Sequence, residues 1–526
     1  KAFIPVEYWN LTLKLSKIND DQIFHAKYFC TGENKERIAD QTEAEKIYND
    51  VKNSVVTVKS VKKAQKKKYP YAPFITSTLQ QDAANKLGFT TSKTMKVAQE
   101  LYEGVEIKGI GSIGLISYMR TDSTRISSDY QLQTRDFIIK NFGADYIPSS
   151  LPIYKNNSNS QDAHEAIRPT DFLLTPTHIA SNLTKEQLSL YALIYNRYIA
   201  SQMAPAIMDK TTVDIEAGGH IFKACGNIVQ FKGYLTIYEE HKPEDEDTDA
   251  EEYENVYLPK LTNKEQLDLK DVQKAQKFTL PPSRYTEASL VKMLEEKGIG
   301  RPNTYAPIIN TIIKREYVRR EKKALHPTDL GTTVNDLMVR SFTKLLDYGF
   351  TAKMEKDLDS IEEGKIDWIS LIDGFYKDFI RQVEEADKNT VKIVVESDVI
   401  CDKCGKKMVI KSGRYGDFLA CPGYPACKNI KPINQESGYK CPKCGANVIN
   451  KKTKKGIKFL SCENYPACDF SSWGIPTGKF CPKCNNFLVK LYENKQAVVK
   501  CSSDKCDYAS KIIKVSKKDE DTQTDE

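Results

Sequence analysis

Nowhere in the 526 residues does an apolar run approach the roughly 18 residues that would span a bilayer. The opening residues, KAFIPVEYWN, also lack the charged-then-apolar layout of a secretory signal. The two absences exclude membrane-spanning and exported classes and predict a soluble, cytoplasmic protein with no membrane partner. An initiator methionine is missing too: the chain opens at Lys1 and runs straight into a strand-like segment, so native sequence is expected upstream. Isolated cysteines are scarce, since of 14 only Cys30 and Cys225 stand apart.

What is present is a 40% hydrophobic chain that can bury a sizeable core, divided into about three to five domains. Its net charge of +7 is unevenly spread. Cys401 to Lys518 carries 24 Lys and Arg against 8 Asp and Glu, the tail DEDTQTDE carries −5, and residues 1–400 carry −4. A basic module beside a mildly acidic body suggests a polyanion-binding attachment; a merely solvated lysine surface is the alternative. The other 12 cysteines fall into three sets of four, each opening with C-x2-C: Cys401, Cys404, Cys421, Cys427; Cys441, Cys444, Cys462, Cys468; Cys481, Cys484, Cys501, Cys506. A repeat of about 40 residues has too small a core to fold unaided, and two thiolate knuckles suit tetrahedral Zn²⁺. A disulfide framework would need an oxidising compartment that nothing else here supports. Three Zn(Cys)4 centres at −2 each leave the module strongly basic, at about +10. Tyr415, Phe418, Tyr424, Phe459, Tyr465 and Trp473 lie between the knuckles, where they can stack on unpaired bases or form the small cores.

Upstream, the acidic stretch PEDEDTDAEEYEN (243–255) reads as a solvated loop. Alternation in VTVKSV and FKGYLTIYE predicts strands on both sides of a mostly helical block from about 80 to 205, an insert carried by β-rich segments. Inside it, GLISYMRTDSTRIS (114–127) would, if extended, project Ile116, Tyr118, Arg120 and Asp122 from one face. A free phenol has a pKa of about 10; a neighbouring guanidinium favours phenolate and pairs with phosphate, which fits attack on a phosphodiester. Spacing alone does not separate this from packing in a chain with 28 tyrosines. In QDAHEAIRPT (161–170), His164 and Arg168 are i,i+4 on a predicted short helix, either binding phosphates or satisfied structurally. RYTEASLVKMLEEKGIGRPNTYAPIINTIIKREYVRRE reads as a winged helix-turn-helix. Thr286 is its N-cap, Gly298 the stop, and Tyr305, Ile308, Ile309, Ile312 and Ile313 form a core stripe, with Thr304, Thr311 and Arg315 opposite and Arg301 near the second helix's N-terminus.

Together GLISYMRTDSTRIS, QDAHEAIRPTD, SQMAPA, PPSRYTEASLVKMLEEKGIGRPNTYAPIINTI and FTAKMEKDLDSIEEG resemble the bacterial type IA DNA topoisomerases of the topoisomerase I kind, in family order from about Lys1 to Cys506. The resemblance implies a multidomain α+β chain: a type IA core of β-rich arch, inserted helical gate domain with the active-site tyrosine, and winged-helix-like domain, followed by three C4 zinc ribbons. The implied boundaries are 1–79 and 206–275 for the arch, 80–205 for the gate, 276–395 for the helical DNA-binding domain, 396–435, 436–475 and 476–512 for the ribbons, and 513–526 for a charged disordered tail. The implied activity is ATP-independent relaxation of negatively supercoiled DNA through a 5′-phosphotyrosyl intermediate on Tyr118, strand passage and religation. It agrees with the absence of a G-x-x-x-x-G-K-[ST] loop. Arg120 would hold the scissile phosphate, and Asp122, His164, Arg168, Arg301, Thr304 and Arg315 would contact or position DNA. Partners would be single-stranded and negatively supercoiled DNA, met by a monomer in the nucleoid, with a contact to RNA polymerase left open.

One departure stands out. The family's N-terminal TOPRIM domain, with its Mg²⁺-binding glutamate and Asp-x-Asp pair, has no counterpart here: Asp245/Asp247, Asp357/Asp359 and Asp519/Asp521 follow no buried strand. The chain alone is therefore expected to be inactive, with the Mg²⁺ site upstream. Two other readings stay open, a topoisomerase III-like decatenase and a non-catalytic zinc-ribbon protein that binds single-stranded DNA.

Overall fold

A computed structural model describes residues 3–32, 37–155, 164–238, 254–255, 258–389, 395–413, 416–432, 436–452, 458–493, 496–503 and 506–509. Most of the acidic stretch 243–255, with Asp245 and Asp247, lies outside the described residues, as do Tyr415 and the charged tail 513–526 with Asp519 and Asp521. The chain forms two compact units, Lys1–Lys388 and Asn389–Glu526.

The first unit begins with β1 (Glu7–Lys17), β2 (Phe24–Thr31), α1 (Gln41–Lys52) and β3 (Val56–Lys68). Leu11, Leu13 and Leu15 alternate along β1 and are all fully buried, the period-two signature of a strand with one face in a core. Asp40 caps α1 by accepting from the Glu43 N–H at 2.9 Å, and Ala44, Ile47 and Val51 turn its apolar side inward. Three later strands, β6 (Ala206–Ala217), β7 (His220–Phe231) and β9 (Gln266–Phe278), join with the short β8 (Glu254–Asn255) in the order β2-β1-β9-β3-β6-β7-β8. Because β2 also pairs with β7, the sheet closes on itself and leaves few open edges. Past Val61 the apolar alternation of β3 gives way to KKAQKKK, and Lys62–Lys67 run exposed while the strand pairs with β6 from Lys62↔Thr212 to Lys68↔Ala206.

Between β3 and β6 sits the expected helical insert: α2 (Thr76–Asp82), α3 (Thr91–Glu103), the hairpin β4 (Val105–Ile107) and β5 (Gly111–Ile113), α4 (Ser128–Phe142) and α5 (Lys185–Ser201). VTVKSV lies in β3 as expected, but FKGYLTIYE is not the expected strand, since β7 ends at Phe231 and Gly233–Thr236 is a short 3-10 helix whose Tyr234 packs into the core of the insert. Its core includes Phe74, Leu79, Leu101, Ile138, Tyr191 and Tyr198, and it also takes in Tyr234 and Tyr238 from beyond β7. Thr184 and Gln187 start α5 with a reciprocal capping box.

After β9 come α6 (Glu287–Glu296), α7 (Tyr305–Lys314) and the hairpin β10 (Val318–Glu321) and β11 (Ala324–Pro327), which is a helix-turn-helix with a wing. Thr286 caps α6 through the Ser289 N–H, and Gly298 (φ 69°) ends it in the left-handed region. Of the predicted stripe, Tyr305 and Ile309 are buried and Ile308 and Ile313 pack beside them; Thr311 and Arg315 are exposed. Helices α8 (Asp329–Ser341), α9 (Tyr348–Glu362) and α10 (Trp368–Asn389) follow.

The second unit is three small antiparallel sheets in sequence, over residues 395–432, 436–472 and 475–501. No helix among the described residues is long and apolar enough to cross a membrane.

Candidate active site and metal centres

The stretch around Tyr118 is not the straight strand expected. Gly114 crosses so close to α3 that a Cβ there would lie 2.5 Å from the Tyr102 carbonyl oxygen, and the Leu115 N–H donates to the Leu101 oxygen at 2.7 Å. Ile116 then turns into the core, 1% exposed, instead of sharing a face with Tyr118. After bends at Ser117, Met119 and Arg120, burial does alternate: Met119, Thr121 and Ser123 point inward, while Tyr118 and Asp122 are half-exposed and Arg120 is exposed.

The reading of a short helix carrying His164 and Arg168 needs the same kind of correction over residues 164–168, while 161–163 lie outside the described residues. Residues 164–168 are extended against the tyrosine segment, because their backbone groups find partners there. The Ser117 N–H donates to the Arg168 oxygen and the Arg168 N–H to the Ser117 Oγ, both at 2.9 Å, and the Thr170 N–H donates to the Leu115 oxygen at 3.0 Å. Ser117 Oγ also donates to the Ala166 oxygen at 2.6 Å, and Ile167 bridges to Phe74 on its other side. This zipper seats His164 against Tyr118, with ring centroids 5.6 Å apart. Tyr102, which the sequence did not single out, meets Tyr118 edge-on at 5.4 Å.

The cations divide into held and free. Arg168 donates from Nε and Nη2 to Glu165 at 3.0 and 2.6 Å, and its guanidinium lies 3.8 Å from the centroid of the Tyr130 ring. Arg301 stands in the α6–α7 turn as predicted, but its guanidinium reaches Asp359 of α9 at 2.5 Å and Glu355 at 3.7 Å. Thr304 closes that turn, accepting from the Arg301 N–H at 2.7 Å. Arg120 and Arg315, by contrast, make no side-chain hydrogen bond or ion pair among the described residues. Burial pushes the neighbouring phenol of Tyr130 up to about 12, despite Arg168, and raises those of Tyr191, Tyr195, Tyr198 and Tyr305. Those five are packing tyrosines held in the phenol form.

In the second unit each cysteine set converges. Sγ···Sγ separations are 3.8 and 3.2 Å (Cys401–Cys427, Cys404–Cys421), 3.7 and 3.4 Å (Cys441–Cys468, Cys444–Cys462), and 3.7 and 3.3 Å (Cys481–Cys506, Cys484–Cys501). A tetrahedron with metal–sulfur bonds of about 2.3 Å has edges of about 3.8 Å, whereas a disulfide would require about 2.05 Å. The donor set therefore fits Zn²⁺. All three knuckles share one turn: Gly405, Gly445 and Asn485 take positive φ (71°, 74° and 56°), and each donates its N–H back to the first cysteine's oxygen at 2.9, 2.8 and 2.9 Å. Asn is the residue that most readily replaces Gly in that conformation. Tyr424, Tyr465 and Trp473 stand 69%, 60% and 65% exposed, so they are not core residues. Phe459 lies 5.6 Å from Trp473, and Phe418 is half-buried.

Residues 1–373 match the family described as DNA topoisomerase. The chain belongs to the bacterial type IA topoisomerases. Residues 398–436 and 438–476 match the topoisomerase DNA-binding C4 zinc finger, and the third cysteine set completes the series by its own geometry. Full-length topoisomerase I from Thermotoga maritima is similar at 30% identity and a TM-score of 0.63, over 87% of this chain and 69% of that one. The protein thus has the type IA fold, DNA as its partner and zinc-binding C4 ribbons.

Proposed function

We propose that this topoisomerase relaxes negatively supercoiled DNA by transient cleavage of one strand, with Tyr118 as the nucleophile. The observation that carries the reading is the placing of a half-exposed phenol between two rings, two residues from an exposed guanidinium that has no side-chain partner among the described residues. Attack would form an Oη–P bond on Tyr118 and break the P–O3′ bond. A 5′-phosphotyrosyl link and a free 3′-hydroxyl result, and religation reverses the step. The phosphodiester's energy is kept in the new ester, so no ATP is consumed, in line with the lack of a P-loop motif. Arg120 supplies a fork that can hold two phosphate oxygens as charge builds on them, and His164 sits where it can meet an adjacent phosphate. Asp122, Arg168, Arg301, Thr304 and Arg315 would guide the strand, Arg168 and Arg301 only after giving up carboxylate partners. The exposed aromatics of the basic ribbons suit stacking on unpaired bases.

Mg²⁺, which the resemblance implies, does not fit the groups at hand: among the described residues the clusters able to hold a metal are the three cysteine sets, and Asp359 is committed to Arg301. The test is plasmid relaxation without ATP, with the Mg²⁺-binding TOPRIM domain that the resemblance implies supplied: topoisomers should appear with wild type, be absent from residues 1–526 alone, and be absent with Tyr118→Phe. Relaxation by that variant would refute the reading.

A further inference from the structure

Helix α3 is fixed at both ends, and its two attachments belong to different blocks. At its C-terminal end Leu101 accepts from the Leu115 N–H and the Tyr102 ring abuts Tyr118, so α3 bears directly on the tyrosine. At its N-terminal end, Thr91 is 1% exposed and meets a residue of the winged helix. Glu287, first residue of α6 and 6% exposed, accepts on Oε2 from the Thr91 N–H at 2.8 Å and from the Thr91 Oγ1 at 3.0 Å. Its Oε1 is bound by the Arg320 guanidinium of the wing. The carboxylate therefore occupies a helix N-terminus, where unpaired N–H groups and the helix dipole favour an anion, and a cation holds it from its own side.

Helix α2, which also packs on α6, carries a parallel link. The Thr76 N–H donates to the Thr121 oxygen at 2.9 Å and Thr76 Oγ1 to the Met119 oxygen at 2.8 Å, bracketing Arg120. Opening this junction strands no charge. The Thr90 hydroxyl still caps α3 through the Lys93 N–H at 3.1 Å, Arg320 stays with Glu287, and water reaches both. A contact with these properties is firm when closed and cheap to release.

We propose that Glu287 is a positioning residue: its carboxylate latches the N-terminus of α3 to the winged helix and thereby fixes Tyr118 at the far end of α3, and it must release Thr91 before α3 and the winged helix can part. The proposal rests on the reading of Tyr118 as nucleophile.

The test uses the whole protein with Glu287→Ala and the isosteric Glu287→Gln. A charge-assisted bond of this kind is worth roughly a tenfold change or more in an opening equilibrium. Hydrogen exchange at the Thr91 amide should accelerate by about that factor in Glu287→Ala and less in Glu287→Gln. Exchange in the α5 core around Tyr191 and Tyr198 should stay at the wild-type rate. Single-turnover formation of the covalent adduct should slow while affinity for single-stranded DNA is kept. Unchanged exchange at Thr91, or faster exchange with an unimpaired cleavage rate, would overturn the latch; so would acceleration spread equally through the α5 core, the mark of general destabilisation. With the Mg²⁺-binding domain that the resemblance implies supplied, a wild-type protein that forms no adduct at all would instead overturn the reading of Tyr118.

Discussion

Tyr118 and Arg120 are two residues apart, and both side chains reach the surface although the segment is not a regular strand. Buried Met119, held at its carbonyl by Thr76, divides them and leaves both side chains accessible. Replacing Arg120 by Lys keeps the charge and loses the planar fork, so cleavage should slow by at least tenfold while DNA binding changes little; a near-wild-type rate in single-turnover assays would show that the fork is not used. The pair itself was readable from the sequence. What singles Tyr118 out from the other tyrosines is partly burial, which the sequence does not print: Tyr130, Tyr191, Tyr195 and Tyr198 lie in the same block and are locked in its core or on its arginine. The commitment of Arg301 to Asp359 was equally invisible, because the partner lies 58 residues further on.

At the scale of elements, local signals served well where local chemistry decides. Thr286, Gly298 and the Tyr305–Ile313 stripe delimited the winged helix because caps and a 3.6-residue period are written in neighbouring residues. They failed at 164–168, where the i,i+4 spacing of His164 and Arg168 suggested a helix but hydrogen bonds to Ser117 and Leu115 hold the chain extended. Long-range pairing of irregular segments leaves no periodic trace. The α2–α6 junction gives a prediction of its own. Glu295 is half-buried; burial first, then the charges of Glu296 and Asp122, hold its carboxyl above the usual range. A carboxyl raised in the folded state favours folding below its ordinary range, and that contribution is lost as pH rises through the raised value, so ionised Glu295 opposes docking near neutrality. Glu295→Gln should therefore raise the thermal midpoint at pH 7, with the gain shrinking toward pH 4. No gain at pH 7 would contradict the assignment. At Gly114, substitution by Ala should destabilise by about 1–3 kcal/mol, since the added Cβ meets backbone and not a movable side chain; denaturant midpoints would measure it.

For the whole molecule, the broad plan was legible in the sequence because each part has its own grammar: alternating strands around a helical insert, a capped helix pair, and cysteine sets of one repeat. The closure of the sheet through β2 and β7 was not legible, since it joins strands nearly 200 residues apart and depends on tertiary geometry. Purified protein should contain about three zinc ions per chain, one for each cysteine set. Chelation should unfold residues 395–509 while leaving the helical signal of the first unit intact, because these small sheets have little core beyond their thiols. Zinc near zero with paired thiols would contradict this. Whether Tyr118 is the residue joined to DNA can be read out by denaturing the protein during turnover, digesting it and finding by mass spectrometry which peptide carries nucleotide. A single 5′-phosphoryl adduct on Tyr118 that disappears in Tyr118→Phe is expected; an adduct on any other residue, or one that survives that substitution, would rule Tyr118 out.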